Sequence, residues 1–341
     1  MLEAVDQALV NDLTSAPSLK QRRALAKVIT LLESTRLDHR KRADEVLNAL
    51  LPKTGKSFRL GISGVPGVGK STLIESLGLY LIEKGHRVAV LAIDPSSSLS
   101  GGSILGDKTR MERLSVLENA FIRPSPSSLT LGGVAEKTRE AMLVAEAAGF
   151  DVVIVETVGV GQSEIAVAGM TDMFLLLQLP NAGDDLQAIK KGVMEIADLI
   201  VINKVDLDPD AAMRAQLFIT SSLRLLGFHG NPEHTSHDAN YWHPTVMTLS
   251  ALEGRGVPEL WEKVSHFEKL QKSNGKFESR RKQQAGAWMW DRIDAGLKNA
   301  FRSNEAVQML LPNLVAEVNQ GTMAPSVAAR RLLESMGHEF F

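Results

Sequence analysis

From residue 58 onward the chain alternates short apolar runs with amphipathic stretches of helical length. Apolar runs at 58–63, 87–93, 152–155, 173–179, 199–203 and 245–249 predict β-strands. Stretches at 70–84, 134–148, 186–197, 210–226 and 257–270 carry apolar residues at helical steps and predict helices between those strands. Strand and helix in turn is the pattern of βαβ units. The fold class predicted is therefore α/β, a three-layer arrangement with a mainly parallel sheet between helices. Ahead of it, Leu9, Leu13, Ala24, Val28, Leu31, Leu32, Val46 and Leu50 recur at three- and four-residue steps, with Pro17 breaking the run. They predict an N-terminal helical extension over residues 1–52 and place the main domain at 53–270.

After residue 270 the segment QKSNGKFESRRKQQ reads as a hinge, and no strand pattern follows it. Ala287, Ile293, Leu297 and Phe301 form one apolar helix face, and Val307, Leu311, Leu314 and Val318 form another. Such faces need cover, from their own core or from a second subunit. The expectation is a C-terminal helical dimerisation arm over 271–341, in which Trp288, Met289 and Trp290 serve packing or an interface.

Composition narrows the chemistry. With 341 residues, 44% hydrophobic and 23% charged, the chain can bury a core, and wholesale disorder is excluded. A formal net charge of -2 gives no electrostatic case for nucleic acid as a partner. The absence of cysteine removes disulfides, thiolate metal sites and a cysteine nucleophile. Charges interrupt every apolar run near the N-terminus, and later apolar runs are strand-sized, so no membrane association and a cytoplasmic location are expected.

The strongest local signal is Gly64-Val65-Pro66-Gly67-Val68-Gly69-Lys70-Ser71, which closes an apolar run and opens a helical one. This is the pattern G-x-x-x-x-G-K-S/T in the context that makes it a phosphate-binding loop. Glycines let successive backbone N–H groups converge on phosphate, and the helix N-terminus adds its positive end. Lys70 is placed to charge the β/γ oxygens, and the Ser71 hydroxyl to coordinate Mg²⁺.

A second signal, Asn203-Lys204-Val205-Asp206, ends the fifth predicted strand. A carboxylate at Asp206 accepts two hydrogen bonds from the N1–H and amine of guanine, which adenine does not offer, so GTP is favoured over ATP. Ser250, Ala251 and Leu252, after the next strand, fit a loop closing over the base. The third signal is Glu156-Thr157-Val158-Gly159, following DVVIV. An acid there reaches toward Mg²⁺ and the attacking water, and the Gly159 N–H toward the γ-phosphate. Val160 stands where many small GTPases carry a glutamine, and Gln162 is two positions on, so slow unassisted hydrolysis is expected.

Asp94 ends the strand 87–93, and Asp107 lies in the Ser- and Gly-rich stretch DPSSSLSGGSILGDKT, too long for a plain connection. Both bring carboxylates to the sheet edge where α/β folds bind ligands. With Ser71 and Glu156 they suit the oxygen preference of Mg²⁺. Lys70, Asp94, Asp107, Glu156 and Gly159 are thus the predicted catalytic set, and Ser71, Asp94, Asp107 and Glu156 the metal set. His229, His234, His237 and His243 crowd one segment, but their spacing matches no ligand pattern.

With the P-loop, DPSSS, GDKTRM, ETVGVGQSE, NAGDDLQAIKKG and NKVD in this order, the chain resembles the ArgK/MeaB family. These are GTPases associated with cobalamin-dependent methylmalonyl-CoA mutase, within a wider group of metallocentre-assembly GTPases. The resemblance covers nearly the whole chain and implies a homodimeric P-loop GTPase that converts GTP to GDP with Mg²⁺. It implies a chaperone that gates cobalamin loading of the mutase and protects the loaded enzyme. On matching motifs, Gly64 through Thr72 would hold phosphate, and Asn203, Lys204 and Asp206 with Ser250, Ala251 and Leu252 would hold guanine. Asp184, Gln187 and Lys190 match a further switch that reports nucleotide state to the mutase. Relatives that deliver nickel or zinc need thiolate or clustered imidazole, which this chain lacks. Family members have also been labelled ATP-dependent kinases of basic-amino-acid transport, an alternative that needs an adenine-compatible base site.

Overall fold

Along each central strand the side chains alternate between two buried faces. In the strand Val152–Glu156, Val153 and Val155 enter one apolar cluster while Val152 and Ile154 enter the other. The strand Met173–Gln178 does the same, sending Phe174 and Leu176 one way and Met173, Leu175 and Leu177 the other. Burial on both faces is what makes these segments read as continuous apolar runs. The computed structural model describes residues 2–34, 36–94, 111–126, 131–157, 163–180, 191–225 and 241–337.

In chain order the elements are α1 (Ala4–Leu13), α2 (Leu19–Glu33), α3 (Leu37–Leu50), β1 (Phe58–Gly64), α4 (Lys70–Glu83), β2 (Val88–Asp94), α5 (Glu112–Ser115) and β3 (Ala120–Pro126). Then come α6 (Leu131–Ala147), β4 (Val152–Glu156), α7 (Ser163–Ala168), β5 (Met173–Gln178), α8 (Lys191–Glu195), β6 (Leu199–Ile202), α9 (Pro209–Leu225) and β7 (Thr245–Thr248). The chain continues as α10 (Val257–Ser273), α11 (Lys276–Ser303), α12 (Glu305–Asn319) and α13 (Pro325–Glu334).

The strands form one seven-stranded sheet in the order β3-β2-β4-β1-β5-β6-β7. Every strand pair among the described residues is parallel. The α/β class and three-layer architecture expected from the sequence are therefore observed. Leu13, Leu25, Val28, Ile29, Val46 and Leu50 of the first three helices share a core cluster with Ala89, Val153 and Phe174 of the sheet. On the other face Leu73, Leu77 and Leu81 of α4 join Leu260 and Val264 of α10.

One strand was not expected. β3 reads AFIRPSP, and two prolines in seven residues mask its pattern. A proline cannot donate to a ladder, so it is tolerated at a sheet edge, which is where β3 lies, beside β2 alone. After α10 only Asn274 and Gly275 leave the helical path, Gly275 with φ +71°, and α11 then runs unbroken through the remainder of the predicted hinge.

The chain divides into two compact units, Met1–Lys282 and Gln283–Phe341. In the second, Val307, Leu314, Ala328 and Leu332 bury one another between α12 and α13. No helix among the described residues is long and apolar enough to cross a membrane.

Candidate functional site

Parallel strands bring their C-terminal ends to one edge, and the P-loop, Glu156, the Asn203–Asp206 segment and the Ser250–Leu252 turn gather there. The P-loop leaves β1 at Gly64 and enters α4 at Lys70. A Cβ at Gly64 would stand 2.7 Å from the carbonyl oxygen of Leu177 on β5. At Gly69, φ is +97° and a Cβ would fall 2.5 Å from Asn203 Nδ2. Neither position accepts a side chain without displacing the loop or its neighbour.

Asn203 explains the tight approach. It is buried, its Nδ2 donates to Val68 O at 2.8 Å, and its Oδ1 accepts from Ala251 N at 3.0 Å. One side chain thus ties the phosphate loop to the loop after β7. Ser250 N donates to Arg255 O at 2.9 Å, and Glu253 N to Ser250 Oγ at 3.3 Å, so the turn from 250 to 255 is closed on itself. Thr72, Ala251 and Leu252 line a single cavity of about 370 Å³.

Lys70 is buried, and its Nζ donates to Gly64 O at 2.7 Å and Val65 O at 3.3 Å. The ammonium therefore already lies across the loop where phosphate oxygens are expected. The Ser71 hydroxyl donates to Glu156 Oε1 at 3.2 Å, linking the first turn of α4 to the end of β4. Thr157 Oγ1 donates to Ser63 Oγ at 2.8 Å, and Thr157 N to Ile62 O at 3.0 Å, pinning the ends of β1 and β4 together. A hydroxyl and a buried carboxylate in contact beside a P-loop are oxygen donors of the type Mg²⁺ accepts.

Asp206 shows a different feature. Ser250 hydrogen-bonds its carboxyl, and this is the main reason its pKa is held below the usual carboxylate range, with smaller help from the Arg255 and Lys204 charges. Its Oδ1 is shielded from solvent and has no hydrogen-bond partner among the described residues. An ionised oxygen awaiting a donor fits the N–H edge of guanine and repels the acceptor nitrogen at the same edge of adenine. Lys204 has φ +61°, a left-handed conformation unusual for a side-chain-bearing residue.

Asp94 ends β2, on which Ala92 pairs with Glu156 of β4, so its backbone reaches the same sheet edge. Asp107, Gly159 and Gln162 lie outside the described residues, as do Asp184, Gln187 and Lys190. His229, His234 and His237 lie outside them too, and among the described residues no three His, Asp or Glu side chains gather as a ligand set. Two contributors carried no sequence signal. The Ser63–Thr157 hydroxyl pair is one, and Glu75 is the other: its Oε1 accepts from Arg113 N at 2.8 Å and caps α5. Only contact in space reveals them.

Known proteins resemble this chain over most of its length. Residues 25–306 match the family described as methylmalonyl Co-A mutase-associated GTPase MeaB. A putative GTPase of Caulobacter vibrioides is 53% identical over 316 residues, covering 93% of this chain and 94% of that one. The GTPase ArgK of Escherichia coli is 43% identical over 339 residues, covering 98% of this chain and 100% of its own length. A crystal structure described as LAO/AO transport system kinase superposes with a TM-score of 0.74 at 36% identity, covering 99% of both chains.

Proposed function

The chain belongs to the MeaB family of methylmalonyl-CoA mutase-associated GTPases, and from that premise we propose that it is a Mg²⁺-dependent, GTP-timed chaperone of the mutase. The observation that carries the nucleotide half of this reading is Asp206, an ionised carboxylate with one shielded oxygen lacking a donor. It supports guanine over adenine. That same preference weighs against the ATP-dependent kinase reading that the name of the solved relative suggests.

In this account Lys70 moves from the Gly64 and Val65 carbonyls to the β/γ oxygens, where its hydrogen bonds are charge-assisted. P-loop amides between Gly64 and Thr72, other than Pro66, which has no N–H, hold the phosphates. Asn203 acts on the base indirectly, by latching Val68 to Ala251, while Asp206 meets guanine and the Lys204 stem flanks it, with Ser250, Ala251 and Leu252 closing the pocket. Ser71 and Glu156, with Asp94 and Asp107, would hold Mg²⁺. When bound, the metal supplies a Lewis acid that neutralises charge developing on the transferred phosphoryl group. Glu156 and Asp94 orient the attacking water, and the Gly159 amide meets the γ-phosphate. No glutamine follows Gly159 directly, so the unassisted rate is slow and a partner is needed to set it.

The output is conformational. Asp184, Gln187 and Lys190 sense the nucleotide and couple it to the mutase, whose cobalamin loading and protection are gated by GTP hydrolysis. The active form is a cytoplasmic homodimer. Its contact is made by α11 and α12, where Met289, Trp290, Leu297 and Met309 are exposed. Leu297→Glu in the full chain should give a monomer by light scattering where the parent chain is a dimer, and an unchanged mass would place the interface elsewhere.

The mutase half is tested by calorimetric titration of methylmalonyl-CoA mutase into the protein loaded with GDP or with a non-hydrolysable GTP analogue. The expected result is a state-dependent affinity differing by about tenfold or more, a coupling on the order of 1.4 kcal/mol. Equal affinity in both states would remove the timer, and absence of binding would remove the client.

A further inference from the structure

Successive side chains of a strand point to opposite faces of the sheet, and at the ends of β1 and β4 this separates two tasks. Ile154 packs on the α4 side, and Glu156, two residues on, follows it there, where its Oε1 accepts from Ser71 Oγ at 3.2 Å. Val155 packs on the opposite side, and Thr157 follows it. On β1 that opposite side carries Gly61, where a Cβ would meet Val167 of α7, and Ser63 is next in the same column. The two hydroxyls meet there. Thr157 Oγ1 donates to Ser63 Oγ at 2.8 Å, behind the Glu156 carboxylate rather than beside it.

This bond joins two functional stretches of chain. Ser63 immediately precedes Gly64, the first residue of the phosphate loop, and Thr157 immediately follows Glu156. The last register of the β1–β4 ladder pairs Ile62 with Glu156, and one further bond runs from Thr157 N to Ile62 O at 3.0 Å. Beyond that register β1 continues against β5, so the hydroxyl bond takes over from the ladder in tying β1 to β4.

Both hydroxyls are buried. A buried hydroxyl is unfavourable unless it is hydrogen-bonded, and an apolar pair of the same shape would fill the position at little cost in stability. Filling the core therefore does not require this bond. What an apolar pair lacks is direction: hydrophobic contact is non-directional, whereas a hydrogen bond fixes both distance and angle.

Resting on the Mg²⁺-dependent GTPase reading, we propose that Ser63 and Thr157 are positioning residues for the metal site. From the far face of the sheet their bond fixes the backbone of Glu156, and so holds its carboxylate opposite the Ser71 hydroxyl, where both can serve one ion. Neither hydroxyl touches the ion or the nucleotide. Mg²⁺ demands near-ideal octahedral geometry, so a strand end free to shift weakens the ion's hold more than the nucleotide's.

The experiment titrates Mg²⁺ calorimetrically into the full chain loaded with a non-hydrolysable GTP analogue and freed of excess nucleotide, and measures analogue affinity separately in EDTA. Thr157→Val keeps the shape and removes the donor; it should weaken Mg²⁺ binding about tenfold or more and leave analogue affinity in EDTA at the parent value. Ser63→Ala should do the same. Thr157→Ser keeps the hydroxyl and should retain parent Mg²⁺ affinity. Since the two residues act through one bond, the double variant Ser63→Ala/Thr157→Val should bind Mg²⁺ no more weakly than either single variant. Glu156→Gln tests the reading beneath the proposal: it should lose Mg²⁺ affinity, and parent affinity there would strike the metal site itself. Given that loss, parent Mg²⁺ affinity in Thr157→Val, an equal loss in Thr157→Ser, or additive losses in the double variant would overturn the positioning role. A lowered denaturation midpoint with unchanged Mg²⁺ affinity would reduce the pair to a structural one.

Discussion

The cluster of Arg281, Asp172, Arg59 and Glu146 at the N-terminal end of the parallel sheet and the nucleotide edge at its C-terminal end are built to opposite specifications. At the N-terminal end Arg281 forks onto Asp172 at 2.7 and 2.6 Å and also donates to Gly55 O and Ser57 O. Asp172 accepts in addition from Arg59 N, and Glu146 from Arg59 Nε and Gly55 N. Donors and acceptors there are matched into a closed network. At the C-terminal end Asp206 keeps an idle oxygen and Lys204 sits at φ +61°. Satisfied groups hold the strands in place; unsatisfied and strained ones are available to a ligand.

The contrast breaks most sharply if one member of the closed network is removed. Asp172→Ala leaves Arg281, only 15% exposed, without its counter-charge, and should cost about 3–5 kcal/mol in a denaturant titration. Hydrolysis by the folded fraction should stay at the parent rate; a slowed rate would join the two ends functionally. Lys70→Ala does the reverse, lowering single-turnover GTP hydrolysis by about 10²–10³-fold with little change in the denaturation midpoint.

Smaller effects sharpen the picture. Asp206→Asn should shift preference from GTP to XTP, whose extra carbonyl accepts from the new amide, with discrimination on the order of 10²-fold. An unchanged preference would mean that this carboxylate does not read the base. The smallest effect concerns pH. Burial opposes ionisation of Glu146, yet hydrogen bonds from Arg59, Ser57 and Gly55 outweigh it and hold its pKa below the ordinary value. A carboxyl depressed in the folded state stabilises above its unfolded pKa of about 4.3 and loses that contribution as pH falls through the folded value. The stability gap between the parent chain and Glu146→Gln should therefore be full at neutral pH and close in strong acid. A gap independent of pH would show that the network works through shape alone.

How much of this was legible in the sequence depended on where the signal resides. Central strands announced themselves because both faces are buried, as in Val152–Glu156. β3 did not, because Pro124 and Pro126 are acceptable only at an edge and the sequence does not say which strand is the edge. Gly64, Gly69, Lys70 and Ser71 were readable, since chain spacing alone places them around one loop. The Asn203 latch from Val68 to Ala251 and the Ser63–Thr157 pair were not, because their partners lie 135, 48 and 94 positions apart. Asp107 and the switch residues Asp184, Gln187 and Lys190 carry roles argued from motif and resemblance.

The measurement that bears most directly on the whole account is single-turnover hydrolysis of GTP, with ATP as control, by the purified protein with and without methylmalonyl-CoA mutase from the same organism. The account predicts slow hydrolysis selective for GTP and accelerated by the mutase. Hydrolysis that prefers ATP, or GTP turnover that the mutase leaves unchanged, would contradict it.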